Sequence, residues 1–119
     1  MKVLVTGGSG YFGSLLIDEL LKKGFDVGSL DINKPDVLSK DVEFHQVDIR
    51  DQESLDNCVS EYEVIFHNVA QVPLAKNNKL FWEVNVDGTK NLCNAAVSAN
   101  INKLVYTFSF NFSISSKLA

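Results

Sequence analysis

The chain has 119 residues, 45% hydrophobic and 22% charged, with a formal net charge of -4. That length holds one domain with one core. The acidic balance, with no basic run longer than Lys22-Lys23, argues against general binding to nucleic acid or to anionic membrane.

Met1 leads almost at once into Val3 to Val5, too short a run for a signal peptide, and no apolar stretch reaches membrane-spanning length. The expected compartment is the cytoplasm. Cys58 and Cys93 lie far apart, with no CxxC and no clustered His, so buried thiols on helix faces are expected and a zinc site is not. No metal is expected elsewhere.

In chain order, Lys2 to Thr6 reads as a strand. Tyr11 to Lys23 reads as a helix, with Leu15, Leu16 and Leu20 on the apolar side and Gly24 as a left-handed stop. Phe25 to Leu30 is a second strand and Val42 to Val47 a third, joined by a connection containing Pro35. Asp51 can cap a short helix whose Leu55, Cys58 and Val59 share a face. Glu63 to Val69 is a nearly all-apolar fourth strand, suited to a parallel sheet covered on both faces. A long helix from Asn77 or Asn78 to near Ala99 buries Leu80, Phe81, Val84, Leu92, Ala95, Ala96 and Ala99. Gly88 marks close packing or a mild bend, and Asn100 a stop. Lys103 to Phe108 is a fifth strand. This alternation predicts an α/β fold, a doubly wound parallel sheet of order 3-2-1-4-5. Its chain direction reverses between strands 1 and 4, which opens a crevice at their carboxyl ends.

The stretch "TGGSGYFG" at 6 to 13 lies at that crevice. Gly8, Gly10 and Gly13 fit one glycine spacing for dinucleotide binding; Gly7, Gly10 and Gly13 fit another. The pattern follows a strand and opens a helix, whose free N–H groups and dipole favour an anion. Gly10 would admit a pyrophosphate, and Gly13 would let helix and strand pack closely. Asp31 lies 18 positions beyond Gly13, close to the ~20-residue spacing of a ribose-binding acid. Its carboxylate would repel a 2′-phosphate and so favours NAD over NADP. Lys34, nearby in sequence, weakens that preference. A solvated turn Asp is the alternative.

Together with "VDIRD" at 47 to 51, "HNVA" at 67 to 70, "NVDGTKNL" at 85 to 92 and "VYTFS" at 105 to 109, these residues resemble the extended short-chain dehydrogenase/reductase family. That group comprises NAD-dependent epimerases and dehydratases of the UDP-glucose 4-epimerase type, with a Rossmann-like fold. The resemblance implies that Gly7, Gly10, Tyr11, Phe12 and Gly13 surround the pyrophosphate of NAD. Asp48 and Ile49 would hold the adenine edge, by carboxylate and amide respectively. Val69, Ala70 and Gln71 would line the path to the nicotinamide ribose. Asn85 would brace the loop after strand 4, Thr107 would begin the stretch beneath the nicotinamide, and Ser109 would match a substrate-side hydroxyl. On the residues alone, Asp48 can equally end a strand and Asn85 be a solvated helix residue. His67 is expected as a satisfied core histidine, His45 on a strand face, and Tyr106 in core packing.

The family's catalytic Tyr-x-x-x-Lys pair does not occur in these residues: Lys117 has Ser113 four places before it. The resemblance thus implies a partial NAD(P)-binding domain over 1–109, incomplete at its carboxyl-terminal side. A departing tail over 110–119 and an absent substrate domain complete that expectation. The parent reaction would be reversible oxidation of a hydroxyl on a nucleotide sugar or similar alcohol, and this chain alone is expected to have no turnover. A hydroxysteroid dehydrogenase-like parent shares the motifs. A non-catalytic dinucleotide-binding module and a non-functional truncated product are the other readings. "KLVYTF", left at a sheet edge, is expected to favour self-association.

Overall fold

A computed structural model describes residues 1–69 and 78–107. Its strands are β1 (Lys2–Thr6), β2 (Asp26–Asp31), β3 (Val42–Gln46), β4 (Val64–His67) and β5 (Lys103–Tyr106). All pair in parallel, in the order β3-β2-β1-β4-β5. Helices α1 (Tyr11–Lys22), α2 (Gln52–Val59), α3 (Asn78–Trp82) and α4 (Thr89–Ser98) connect them, with a π-helical segment, Glu83–Gly88, between α3 and α4. The expected topology is the observed one. The expected single regular helix from Asn78 onward is instead interrupted by that π segment.

Strand alternation splits the core in two. Leu4, Leu30 and Ile65 pack with Leu55, Val59, Leu92, Ala95 and Ala96 on the side of α2 and α4. Val3, Val5 and Val27 pack with Ile17 and Leu20 of α1 on the other. Side chains one residue apart on a strand point to opposite faces, so one short apolar strand supplies both cores. Leu15, expected on the buried side of α1, is 48% exposed; Gly13, Ile17 and Leu20 form the seated face.

The stops behave as their residues dictate. Gly24 has φ +86 and Asn100 has φ 54, both in the left-handed region. Asp51 caps α2, its carboxylate accepting from the Ser54 amide. Cys58 is buried, and loss of hydration pushes its thiol up to about 12; Cys93, also expected to be buried, is only partly so.

His45, expected only as a strand-face residue, bonds through Nε2 to the Tyr62 hydroxyl at 2.7 Å. The Tyr62 ring lies over Gly28, where an added Cβ would come within 1.9 Å of its hydroxyl oxygen.

His67 is the buried polar centre. Thr6 Oγ1 accepts from the Asn68 amide at 3.0 Å and lies 2.7 Å from His67 Nδ1, within hydrogen-bond distance. On its other side, Nε2 is hydrogen-bonded to Thr89 Oγ1 at 3.0 Å. The ring is neutral and satisfied, as expected of a core histidine. Burial lowers its pKa to about 4 from an ordinary 6.5. A folded value below the unfolded one means that the native state resists the proton. Stability linked to His67 is therefore complete above about pH 6.5 and is lost as pH falls towards 4. The expected loss is roughly 3 kcal/mol. Urea denaturation across that window checks it: His67→Gln should flatten the slope, and an unchanged slope would assign the effect to other groups.

Candidate functional site

A cavity of about 370 Å³ opens at the carboxyl ends of β1, β2 and β4. That is within the roughly 300–1,000 Å³ of small-molecule sites. Gly7 and Gly10 form one wall, Asp31, Ile32 and Asn33 another, Asp48 to Arg50 a third, and Asn68, Val69, Leu80 and Val84 close it.

Each glycine of the turn has a separate reason. Gly7 has φ +70, a conformation side chains resist, and its amide donates to Leu30 O at 2.7 Å. A Cβ on Gly8 would lie 2.0 Å from Ser29 Oγ, and one on Gly13 would lie 2.2 Å from Gly7 O. Among the described residues, a Cβ at Gly10 would meet only Gly7 O, at 3.3 Å. Protein packing thus requires a small residue at Gly8 and Gly13. It makes little demand at Gly10, which borders the cavity.

Helix α1 begins at Gly10 with no side-chain cap and no acidic residue in its first turn. Its first internal bond runs from the Ser14 amide to Gly10 O at 2.9 Å. The amides of Tyr11, Phe12 and Gly13 therefore precede the helical ladder, at the positive end of the helix dipole. The Tyr11 and Phe12 side chains are 85% and 55% exposed and do not line the cavity.

Asp31 ends β2 with each carboxylate oxygen holding one backbone donor: Ser9 N–H at 3.1 Å and Asn33 N–H at 3.0 Å. Those bonds orient the group and leave lone pairs for a ligand's hydroxyls. Asp48 lines the cavity while Arg50 grips it, Nε to Oδ1 at 3.0 Å and NH2 to Oδ2 at 2.6 Å. The Arg50 bonds hold the Asp48 carboxyl below its usual range. Arg50 NH1 also reaches Glu83 at 3.2 Å, and Lys79 lies 3.7 Å from Glu83. Being exposed, this network adds little stability. It does tie the loop after β3 to the π segment.

Ile49 is buried, and Val69 lies on the cavity wall beside β4. Asn85 sits in the π segment, next to the cavity-lining Val84. Thr107 is tied to the end of β4: its amide and hydroxyl donate to His67 O at 3.0 and 3.1 Å, and the hydroxyl also contacts Asn68 Oδ1. Tyr106, expected in the core, is 42% exposed and meets the His67 ring edge to face. Ala70, Gln71 and Ser109 lie outside the described residues, as does the tail over 110–119. The parts that sequence reasoning left without a role are the Ser9 amide, Asn68 and Arg50. The stretches "HNVA" and "VDIRD" contain Asn68 and Arg50, but only folding brings Ser9 to Asp31.

Among the described residues, Glu43, His45 and Glu61 bring three ligand-type atoms together on the surface. No helix among them is long and apolar enough to cross a membrane.

The sheet order, the switch point between β1 and β4 and the glycine turn define a Rossmann-like α/β protein. Residues 4–117 match the 3-beta hydroxysteroid dehydrogenase/isomerase family, and the chain belongs to it, within the short-chain dehydrogenase/reductases. It is 46% identical over 106 residues to the uncharacterized protein y4nG of Sinorhizobium fredii, covering 89% of this chain and 27% of that one. To the 3-beta-hydroxysteroid dehydrogenase of Mycolicibacterium neoaurum it is 36% identical over 117 residues, covering 91% and 32%. The UDP-glucose 4-epimerase of Thermus thermophilus, solved in complex with NAD, superposes with a TM-score of 0.81 at 35% identity, over 87% of this chain and 36% of that one. The chain thus spans about a third or less of the length of these relatives.

Proposed function

We propose that this chain is the NAD-binding portion of an enzyme that reversibly oxidises a hydroxyl group. The observation that carries the reading is the amino end of α1, without a side-chain cap, bordering a cavity that is also lined by an oriented Asp31. The amides of Tyr11, Phe12 and Gly13 would bind the pyrophosphate, with Gly7 and Gly10 leaving it room. Asp31 would take the adenosine ribose hydroxyls, and Asp48 and Ile49 the adenine edge. Val69, Ala70 and Gln71 would guide the nicotinamide ribose, with Asn85 and Thr107 steadying the end of β4. Bound NAD would supply a hydride acceptor for the alcohol carbon.

The 119 residues contain no Tyr-x-x-x-Lys pair. We therefore assign proton transfer to sequence outside them, and expect these residues alone to bind without turnover; Ser109 is the one substrate-side hydroxyl proposed within them. The family match favours a steroid-type alcohol as substrate of the whole enzyme. The likeness to a UDP-glucose 4-epimerase favours a nucleotide sugar as the second reading.

Calorimetric titration with NAD and NADP tests the cofactor. NAD is expected to bind more tightly, because the Asp31 carboxylate would face the 2′-phosphate of NADP. Asp31→Ala should lower NAD affinity about tenfold, the worth of a hydrogen bond to a charged group, and narrow the gap to NADP. Equal affinities in the unaltered chain would remove Asp31 from that role. Binding of neither dinucleotide would remove the site.

A further inference from the structure

We propose that Gly88 and Asn91 are positioning residues for the adenine end of the cavity, acting through Ile49. This rests on the reading of the cavity as an NAD site. Ile49 is 3% exposed and lies in the loop between β3 and α2, a region with no strand ladder to fix it. The long helix fixes it instead. A Cβ on Gly88 would stand 2.5 Å from both Cγ1 and Cδ1 of Ile49, so glycine alone lets the Ile49 side chain seat at this depth. Asn91 Nδ2 donates to Ile49 O at 3.1 Å. Asn91 O in turn accepts from Gln52 Nε2 at 2.8 Å, which locks the start of α2 to the same helix. Arg50 to Glu83 makes a third attachment on the cavity side.

The π segment, Glu83–Gly88, ends at the contact. A π turn shifts the face that follows it relative to a continuous α-helix. Gly88 and Asn91 meet the loop from that shifted face. The Ile49 amide is the group proposed to read a ring nitrogen of adenine, and a displaced Ile49 carries its amide along. Neither Gly88 nor Asn91 lines the cavity where the cofactor would lie. Their effect passes through Ile49.

The test is calorimetric titration of the whole chain with NAD and with nicotinamide hypoxanthine dinucleotide. The hypoxanthine analogue carries a ring N–H and a carbonyl where adenine offers an acceptor and an amino group, so it forfeits the Asp48 and Ile49 contacts. The unaltered chain is expected to prefer NAD. Gly88→Ala should lower NAD affinity about tenfold and analogue affinity less than about threefold, so the preference narrows. Asn91→Ala introduces no clash and should narrow it the same way, by about threefold. Gly88→Ala combined with Ile49→Ala should regain part of the NAD affinity lost by Gly88→Ala, since the two atoms at 2.5 Å are then gone and the nearest remaining atom of residue 49 is its Cβ, at 3.4 Å. Equal losses for both dinucleotides in Gly88→Ala and Asn91→Ala, or no loss in either variant, would overturn the positioning role alone. Failure of the unaltered chain to bind either dinucleotide would overturn the NAD reading and this role with it.

Discussion

Gly10→Val is expected to leave the fold intact and to abolish NAD binding. The backbone at Gly10 has φ -78 and ψ 172, a region that β-branched residues favour. The nearest obstacle to a Cβ is Gly7 O at 3.3 Å, which a shift of a few tenths of an ångström relieves. The valine methyl groups would instead fill the space in front of the first amides of α1. A diphosphate held at several charge-assisted bonds cannot retreat from those amides and keep them. The expected loss is at least about 100-fold, or ~2.7 kcal/mol. Calorimetry reads the binding, and a thermal melt of the same sample shows whether the chain is folded. A folded variant that binds NAD as well as the unaltered chain would mean that the diphosphate lies elsewhere.

Gly13→Ala is expected to do the opposite, damaging the fold before any ligand is added. Intrinsic propensity argues for a gain, because alanine is better than glycine within a helix by about 1 kcal/mol. Contact geometry argues against it. The new Cβ would stand 2.2 Å from Gly7 O and 2.9 Å from Gly7 C, both backbone atoms with no rotamer to escape into. Either α1 lifts from β1 or the turn at Gly7 opens. Helix α1 carries Ile17 and Leu20 into the core, so lifting it uncovers both. Overpacking of this kind costs about 1–3 kcal/mol, and exposure of the two side chains adds to it. A net loss of roughly 2 kcal/mol or more is expected by urea denaturation. An unchanged midpoint would show that α1 does not rest on the turn as described.

The sequence already separated these two glycines by their places in the motif, with Gly13 expected for close packing of helix and strand. Strand order was legible, because short apolar runs alternating with helical patterns leave few arrangements of a parallel sheet. The ends of α1 and of the long helix were legible too, because Gly24 and Asn100 tolerate a backbone that other residues resist. The placement of Asp31 at the end of β2, beside the glycine turn, was legible too. The π segment was not, since nothing local in "EVNVDG" distinguishes it from an α-helix; the contact of Gly88 with Ile49, 39 positions away, appears only on folding. The same holds for Leu15, whose helical spacing suited burial while Gly13, Ile17 and Leu20 take the face that meets the sheet. Arg50 was visible two places from Asp48, but its grip on that carboxylate depends on a loop conformation that spacing does not specify.

Strand β5 stands last in the sheet, and its register with β4 brings Tyr106 level with His67. Every strand here runs the same way, so all their carboxyl ends come out along one rim. Another parallel strand laid beside β5 would deliver its own end to that rim, next to Thr107. The rim is thereby extendable: chemistry can be appended at its far end without disturbing the wall that Gly10 and Asp31 already form.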